Sequence, residues 1–119
     1  MLLWGAEDRL SARAKEALAI HAVFVSAASV WELEIKRAAG RLKAPEDIEA
    51  LVEDAGYERL GISFEHAVAA GRLPAHHSDP FDRMLVAQAR IERLTLATAD
   101  EELARYDVPT LAITASGGA

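Results

Sequence analysis

Short runs of β-branched and aromatic residues alternate with segments of helical periodicity along this chain, and that alternation constrains the fold more than any other feature. Val23-Phe24-Val25 reads as a buried strand, and Tyr57 to Ile62, Leu94 to Thr98 and Val108 to Ile113 read as three more. Helical spacing fills the intervals. Leu10, Ala14, Ala17 and Leu18 form one stripe, with Ser11 as a candidate cap. Val30, Trp31, Ile35 and Ala38 form another, which either Ser26 or Ser29 could cap and which Gly40 ends. A helix opens at Pro45-Glu46 and runs through Ile48, Leu51 and Val52 to Gly56, and a shorter one spans Phe64 to Ala70. Leu73 to Ser78 reads as a loop. Asp79-Pro80 then starts a helix running to about Glu92, with aspartate at the N-cap and proline in the first turn. Glu101 to Tyr106 makes a brief helix. Strand–helix alternation of this kind predicts an α/β fold with a parallel sheet of about four strands, covered by helices on both faces.

The length of 119 residues leaves room for one domain, expected over residues 1–114, with residues 115–119 as a flexible tail containing Gly117 and Gly118. There are no cysteines, which excludes disulfides, zinc–thiolate sites and thiol nucleophiles and fits a reducing, cytoplasmic setting. No apolar run approaches the roughly 20 residues of a membrane helix, so no membrane partner is expected. The net charge of -6 gives no long-range attraction to nucleic acid. Any such binding must use a local basic patch or bound cations. Lys36, Arg37, Arg41 and Lys43 form one such patch beside Glu32.

In open α/β sheets the ligand sits beyond the carboxyl ends of the strands. Acids fall there from three separate segments. Glu32 follows the Val23 strand, Asp79 and Asp82 open the helix before Leu94, and Asp100 closes the Leu94 strand. Each has an ordinary structural alternative: a favourable charge near a helix N-terminus for Glu32, a cap for Asp79 with Asp82 completing it, a helix start for Asp100. Jointly they are harder to dismiss. Two carboxylates 4 Å apart repel by about 4 kcal/mol at an effective dielectric near 20. A converging group therefore needs cations or raised pKa values. Oxygen donors without cysteine suit Mg²⁺ or Mn²⁺, and such ions serve phosphodiester hydrolysis. On these residues alone, another metal-dependent phosphoesterase fits as well as a nuclease.

The strings SAASVWELEIKRAAGRL, LPAHHSDPFDRMLVAQAR and LTLATADEELARYDV resemble, in order and spacing, the signatures of PIN-domain ribonuclease toxins of the VapBC type. The similarity runs from about Leu2 to Ile113. It implies a PIN-like sheet, a Mg²⁺-dependent endoribonuclease of a type II toxin–antitoxin pair, an RNA substrate, a VapB-type antitoxin and a homodimer. Position by position, it makes Glu32, Asp82 and Asp100 the catalytic and metal-binding acids, with Asp79 as a further metal ligand through water. Thr98 resembles a helper hydroxyl, and Arg83 stands where it could orient the acids. Lys36, Arg37 and His77 are candidate RNA contacts, although a hydrogen bond that closes the loop is the favoured reading of His76 and His77. Trp31 is expected in the core or at an interface.

The family pattern begins with a strand ending in Asp-Thr-His and a helix containing Leu-Leu-Trp. Here Met1-Leu2-Leu3-Trp4 matches that helix, so the first strand and its aspartate are expected to be missing. A misassigned start codon or a truncated gene would account for it. Impaired catalysis is then expected. The alternative is an inactive PIN remnant that still dimerises or binds an antitoxin.

Overall fold

The computed structural model describes residues 2–4, 22–40, 47–76, 78–98 and 101–112. The elements are β1 (Leu2–Trp4), β2 (Val23–Ser26), α1 (Ala27–Ala38), α2 (Ile48–Asp54), β3 (Glu58–Leu60), α3 (Phe64–Arg72), α4 (Pro80–Glu92), β4 (Thr95–Thr98), a 3₁₀ turn (Glu101–Arg105) and β5 (Thr110–Ala112). The expected Leu10–Leu18 helix, the Pro45–Glu46 helix start and the tail lie outside the described residues.

The strands form one parallel sheet in the order β3-β2-β1-β4-β5. The α/β parallel fold expected from the alternation is therefore present, with a correction at its centre. The middle position is not missing its strand: Leu2–Trp4 fills it, with Leu3 in register between Phe24 and Leu96. Three apolar residues suit a strand or a helix turn equally. The backbone groups of β2 and β4, which would otherwise face each other unpaired across the gap, favour the strand. Among the described residues the sheet accordingly has five strands rather than about four.

Local chemistry explains most boundaries. Ser26, not Ser29, caps α1: its Oγ accepts from the Ala28 N–H at 3.0 Å. Gly40, at φ +71°, lies just past the helix in the left-handed region that a residue without Cβ enters freely. Asp47 caps α2, accepting from the Ala50 N–H at 3.0 Å. Ser63 and His66 form a reciprocal capping box on α3. Asp79 caps α4 ahead of Pro80, and Arg93 ends that helix at φ 57°.

Successive strand residues point to opposite faces, and the core divides accordingly. One cluster joins Leu85, Val86 and Ala89 of α4 to Leu96, Leu103 and Tyr106, with Phe24 packed against it. The other joins Val25 to Leu33 of α1 and to Ile48 and Val52 of α2. Both faces of the sheet are thus covered.

Candidate functional site

The site begins where β2 becomes α1. Ser26 stops the strand and caps the helix, so Glu32 is carried a little over a turn beyond the strand's carboxyl end. On the neighbouring helix, Asp79 Oδ1 accepts from the N–H groups of Phe81 at 2.8 Å and Asp82 at 3.3 Å. Pro80 presets the first turn, and Asp82 lies within it. The two helix starts are brought side by side by Trp31 and Phe81, whose rings meet edge to face at 5.0 Å. These aromatics are the immediate neighbours of Glu32 and Asp82. Trp31 is 62% exposed, so it belongs to the surface and not to the core.

Glu32 has its carboxyl pKa raised. Burial is the main cause, the charge of Asp79 adds to it, and Lys36 acts against it. Glu32 and Asp79, from different helices, are therefore close enough to repel. The Glu32 side chain is only 15% exposed, and Lys36 Nζ lies 3.8 Å from its Oε2. Arg37 pairs with Glu34 one turn back on the same helix. The two described cations of the basic patch are thus engaged along α1, while Arg41 and Lys43 lie outside the described residues.

Thr98 closes β4 and is buried. Asp100, two residues further on, lies outside the described residues, as does His77. His76 donates its backbone N–H to the Pro74 carbonyl at 2.9 Å, and its ring meets Tyr106 edge to face at 5.1 Å. Arg83 donates to the carbonyls of Ala70 and Leu73 at 3.0 Å and Pro74 at 3.1 Å. Its guanidinium thereby satisfies carbonyls at the end of α3, as basic groups near helix C-termini do.

A buried polar chain, which the sequence reading does not anticipate, ties these helices together. Ser26 Oγ donates to Gln88 Oε1 at 2.5 Å. Gln88 Nε2 donates to the Gly61 carbonyl at 3.2 Å and faces His66 Nδ1 at 3.4 Å. His66 Nδ1 already accepts from the Ser63 N–H, so the imidazole proton lies on Nε2, which donates to Glu92 Oε2 at 2.9 Å. One direction of donation thus runs from the cap of α1 through α4 to α3. The only sequence signal for it is a glutamine within an otherwise apolar helical stripe.

The donor chemistry suits a hard cation: oxygen ligands, two of them mutually repelling, on separate rigid helices. Among the described residues, however, no three His, Cys, Asp or Glu side chains gather closely enough to hold a metal ion. Glu32 and Asp79 approach each other from two elements, Asp82 lies in the first turn of α4, and Asp100 is the remaining acid that the sequence assigns to this edge.

A family model for the PIN domain matches residues 1–109. The chain is a member of the PIN-domain family. PIN domains are generally nucleases and typically use divalent metal ions. Three solved structures share the fold. FitAB bound to an IR36 DNA fragment superposes with a TM-score of 0.65 at 17% identity, covering 94% of each chain. FitAcB from Neisseria gonorrhoeae gives 0.65 at 20% identity, covering 93% of this chain and 96% of the other. VapBC2 from Rickettsia felis, bound to a DNA fragment from its promoter, gives 0.67 at 16% identity, covering 95% and 98%. At such identities the likeness establishes the fold. No curated protein matches this PIN domain significantly in sequence. None of its described helices is long and apolar enough to cross a membrane.

Proposed function

We propose that this PIN-domain protein is a VapC-type toxin, an endoribonuclease that depends on Mg²⁺ or Mn²⁺ and is held silent by a VapB-type antitoxin. The observation that carries the reading is the electrostatic coupling of Glu32 on α1 with Asp79 at the start of α4, within a chain whose family is one of nucleases. Glu32, Asp82 and Asp100 are the proposed catalytic acids, and Asp79 assists. A divalent cation held there would activate water and stabilise in-line displacement at phosphorus. The protein's own part is to hold the carboxylates in place through Ser26, Gln88 and the Trp31–Phe81 contact. Thr98 and Arg83 support the acidic edge. Lys36, Arg37 and His77 are the proposed contacts to RNA phosphate, with Lys36 leaving Glu32 when a cation takes over its charge. Structural neighbours crystallised as two-component complexes, FitAB and VapBC2, favour a protein partner. An antitoxin segment presenting arginine would neutralise the same acids by bidentate contacts. A homodimer in the cytoplasm completes the reading.

Activity is expected to be weak. The Asp-Thr-His signature has no counterpart in the sequence, and Gly5-Ala6 follows β1. A displacement of about 1 Å in a reacting group can cost 10²-fold in rate. A second reading, an inactive remnant that binds the antitoxin, draws support from the absence of a three-acid cluster among the described residues. One experiment separates the two. The chain as given, its Asp82→Asn variant and a version preceded by Leu-Leu-Asp-Thr-His, a segment that must take the central position from Leu2–Trp4, are incubated with RNA and Mg²⁺, with EDTA controls. Slow, EDTA-sensitive cleavage lost in Asp82→Asn and strengthened by the added segment supports the nuclease. No cleavage by any version, together with retained binding of an arginine-bearing antitoxin segment, leaves the remnant.

A further inference from the structure

Next to the start of α4 lies a polar hollow that the proposed acids do not line. It has a volume of about 340 Å³ and is bordered, among the described residues, by Ala75, His76, Ser78 and Glu102. That volume falls within the range of small-molecule sites. Its two walls belong to the segments that carry the proposed acids. Ser78 immediately precedes Asp79, the cap of α4, and Glu102 stands in the 3₁₀ turn, two residues after Asp100 in sequence. A group seated in the hollow would therefore neighbour whatever the acidic edge holds.

The loop wall is held more firmly than an exposed connection requires. Three donors converge on the Pro74 carbonyl: the His76 N–H at 2.9 Å, the Tyr106 hydroxyl at 3.0 Å and Arg83 Nη1 at 3.1 Å. Tyr106 is buried directly after the 3₁₀ turn, so its hydroxyl fastens the loop to the opposite wall. The exposed His76 ring leans on Tyr106 at an interplanar angle of 63°. At that angle at least one face of the imidazole is turned away from Tyr106. An aromatic ring fixed from behind and open in front is a stacking platform that needs little further ordering on binding.

We propose that this hollow receives the RNA base next to the phosphate to be cut, stacked on His76, and that Glu102 makes it select guanine. The proposal rests on the ribonuclease reading above and adds base selection to it. Single-stranded RNA is recognised by bases that stack on aromatic rings, histidine included, and bond along their Watson–Crick edges. The Glu102 carboxylate only accepts hydrogen bonds. Guanine is the one RNA base with two adjacent donors on that edge, N1–H and the 2-amino group, which match the two carboxylate oxygens. Adenine and cytosine set a ring-nitrogen lone pair beside their amino group, and uracil flanks its single N–H with carbonyls. Each would bring a lone pair against the carboxylate. Ser78 supplies a hydroxyl suited to the guanine O6. A carboxylate has about four acceptor positions, so a partner within the protein does not use up Glu102.

The test titrates the full chain, in EDTA so that nothing is cleaved, with the 5′-monophosphates of guanosine, inosine, adenosine, cytidine and uridine. Binding is read from the amide resonances of Ala75, Ser78 and Glu102. All five ligands carry the same phosphate, so its repulsion by the acidic edge cancels in the affinity ratios. The guanosine nucleotide should bind about tenfold more tightly than those of adenosine, cytidine and uridine. The inosine nucleotide lacks the 2-amino group and should fall between. His76→Ala should weaken all five about fivefold or more, and His76→Phe should restore them. Glu102→Gln presents one donor and one acceptor, which suits adenine, and should erase the guanine preference while binding persists. Equal affinities for the five, no binding of any, or a guanine preference unmoved by Glu102→Gln overturns the assignment. RNA cleavage with Mg²⁺ is measured in parallel. Cleavage without preference for guanine beside the cut keeps the nuclease and discards the hollow. Guanine-selective binding without Mg²⁺-dependent cleavage keeps a guanine site and overturns its place beside a phosphate to be cut.

Discussion

On one face of the sheet, Leu85, Val86, Leu96 and Leu103 are sealed from solvent, with Leu96 at 0% exposure. On the other, Val25, Leu33, Ile48 and Val52 are buried, but Val25, Ile48 and Val52 border an apolar groove of about 390 Å³, lined also by Val30, Trp31 and Leu60. Both faces use aliphatic residues on helices and strands. What differs is closure: Val86, Leu96 and Leu103 of the first face are fully buried, whereas a groove opens beside α1 and α2 on the second. A close-packed region resists change in volume, and an open one can relax into space already present. The rigid face carries Asp82 on α4, and the looser one carries Glu32 on α1. The Ser26–Gln88 hydrogen bond and the Trp31–Phe81 contact tie the two together.

The comparison can be broken at several points. Leu96→Ala should be the most damaging, at about 2–5 kcal/mol and towards the upper end, because nothing around Leu96 can collapse to fill the space. Urea denaturation would measure it, and a loss below 1 kcal/mol would mean that this face is no tighter than the other. Gln88→Leu keeps the volume but strands the buried Ser26 hydroxyl, whereas the carbonyl of exposed Gly61 can turn to water. A buried group left unpaired costs about 1–3 kcal/mol, so a loss of that size is expected. Pairing it with Ser26→Ala in a double-mutant cycle should reveal coupling between the sites, and strict additivity would deny the tie.

Val52→Ala removes two methyl groups beside the groove and should cost about 1.5 kcal/mol, the transfer contribution alone. A penalty as large per methyl as that of Leu96→Ala would erase the distinction between the faces. The smallest effect belongs to Glu32→Gln, and its sign is the informative part. Burial, aided by Asp79, raises the Glu32 pKa above 4.5, so the folded state binds that proton more tightly than the unfolded state. Stability from this group therefore falls as pH rises through the raised value, and the ionised carboxylate penalises folding at neutral pH. Glu32→Gln should raise the thermal midpoint at pH 7, despite losing the Lys36 contact, and the gain should vanish below about pH 4.5. A lower midpoint at pH 7 would show that Lys36 outweighs burial.

What could be read beforehand was what depends on sequence neighbours. Asp79-Pro80 announces α4 because a cap and a preset φ are local properties, and the Val23 and Thr95 strands declare themselves by side-chain type. The ambiguity between Ser26 and Ser29 is also local, but it is settled only by Gln88, which engages Ser26 from 62 residues away. Leu2-Leu3-Trp4 misleads because apolar residues alone do not choose between helix and strand, and its pairing partners lie far along the chain. Of the candidate site, Glu32, Asp79 and Asp82 can be named from the sequence. The proximity of Glu32 to Asp79 cannot, since it arises from the packing of α1 on α4. Arg83 reads as a partner for acids because it adjoins Asp82; its bonds to the carbonyls at the end of α3 could not be foreseen from the sequence.

The placement of β1 also bears on how the chain emerges from the ribosome. Leu3 pairs with Phe24, available early, and with Leu96, near the far end. Until β4 is synthesised, one side of the central strand has no partner, and α4, made just before β4, has no completed face to pack on. Contacts so distant in sequence slow folding, because loop-closure entropy is lost before any pairing compensates it. A nascent chain halted before Leu94 would present an open parallel edge and a row of aliphatic side chains to its surroundings. Chaperone capture should therefore be strongest in that interval, and it should cease once Thr95–Thr98 has cleared the exit tunnel.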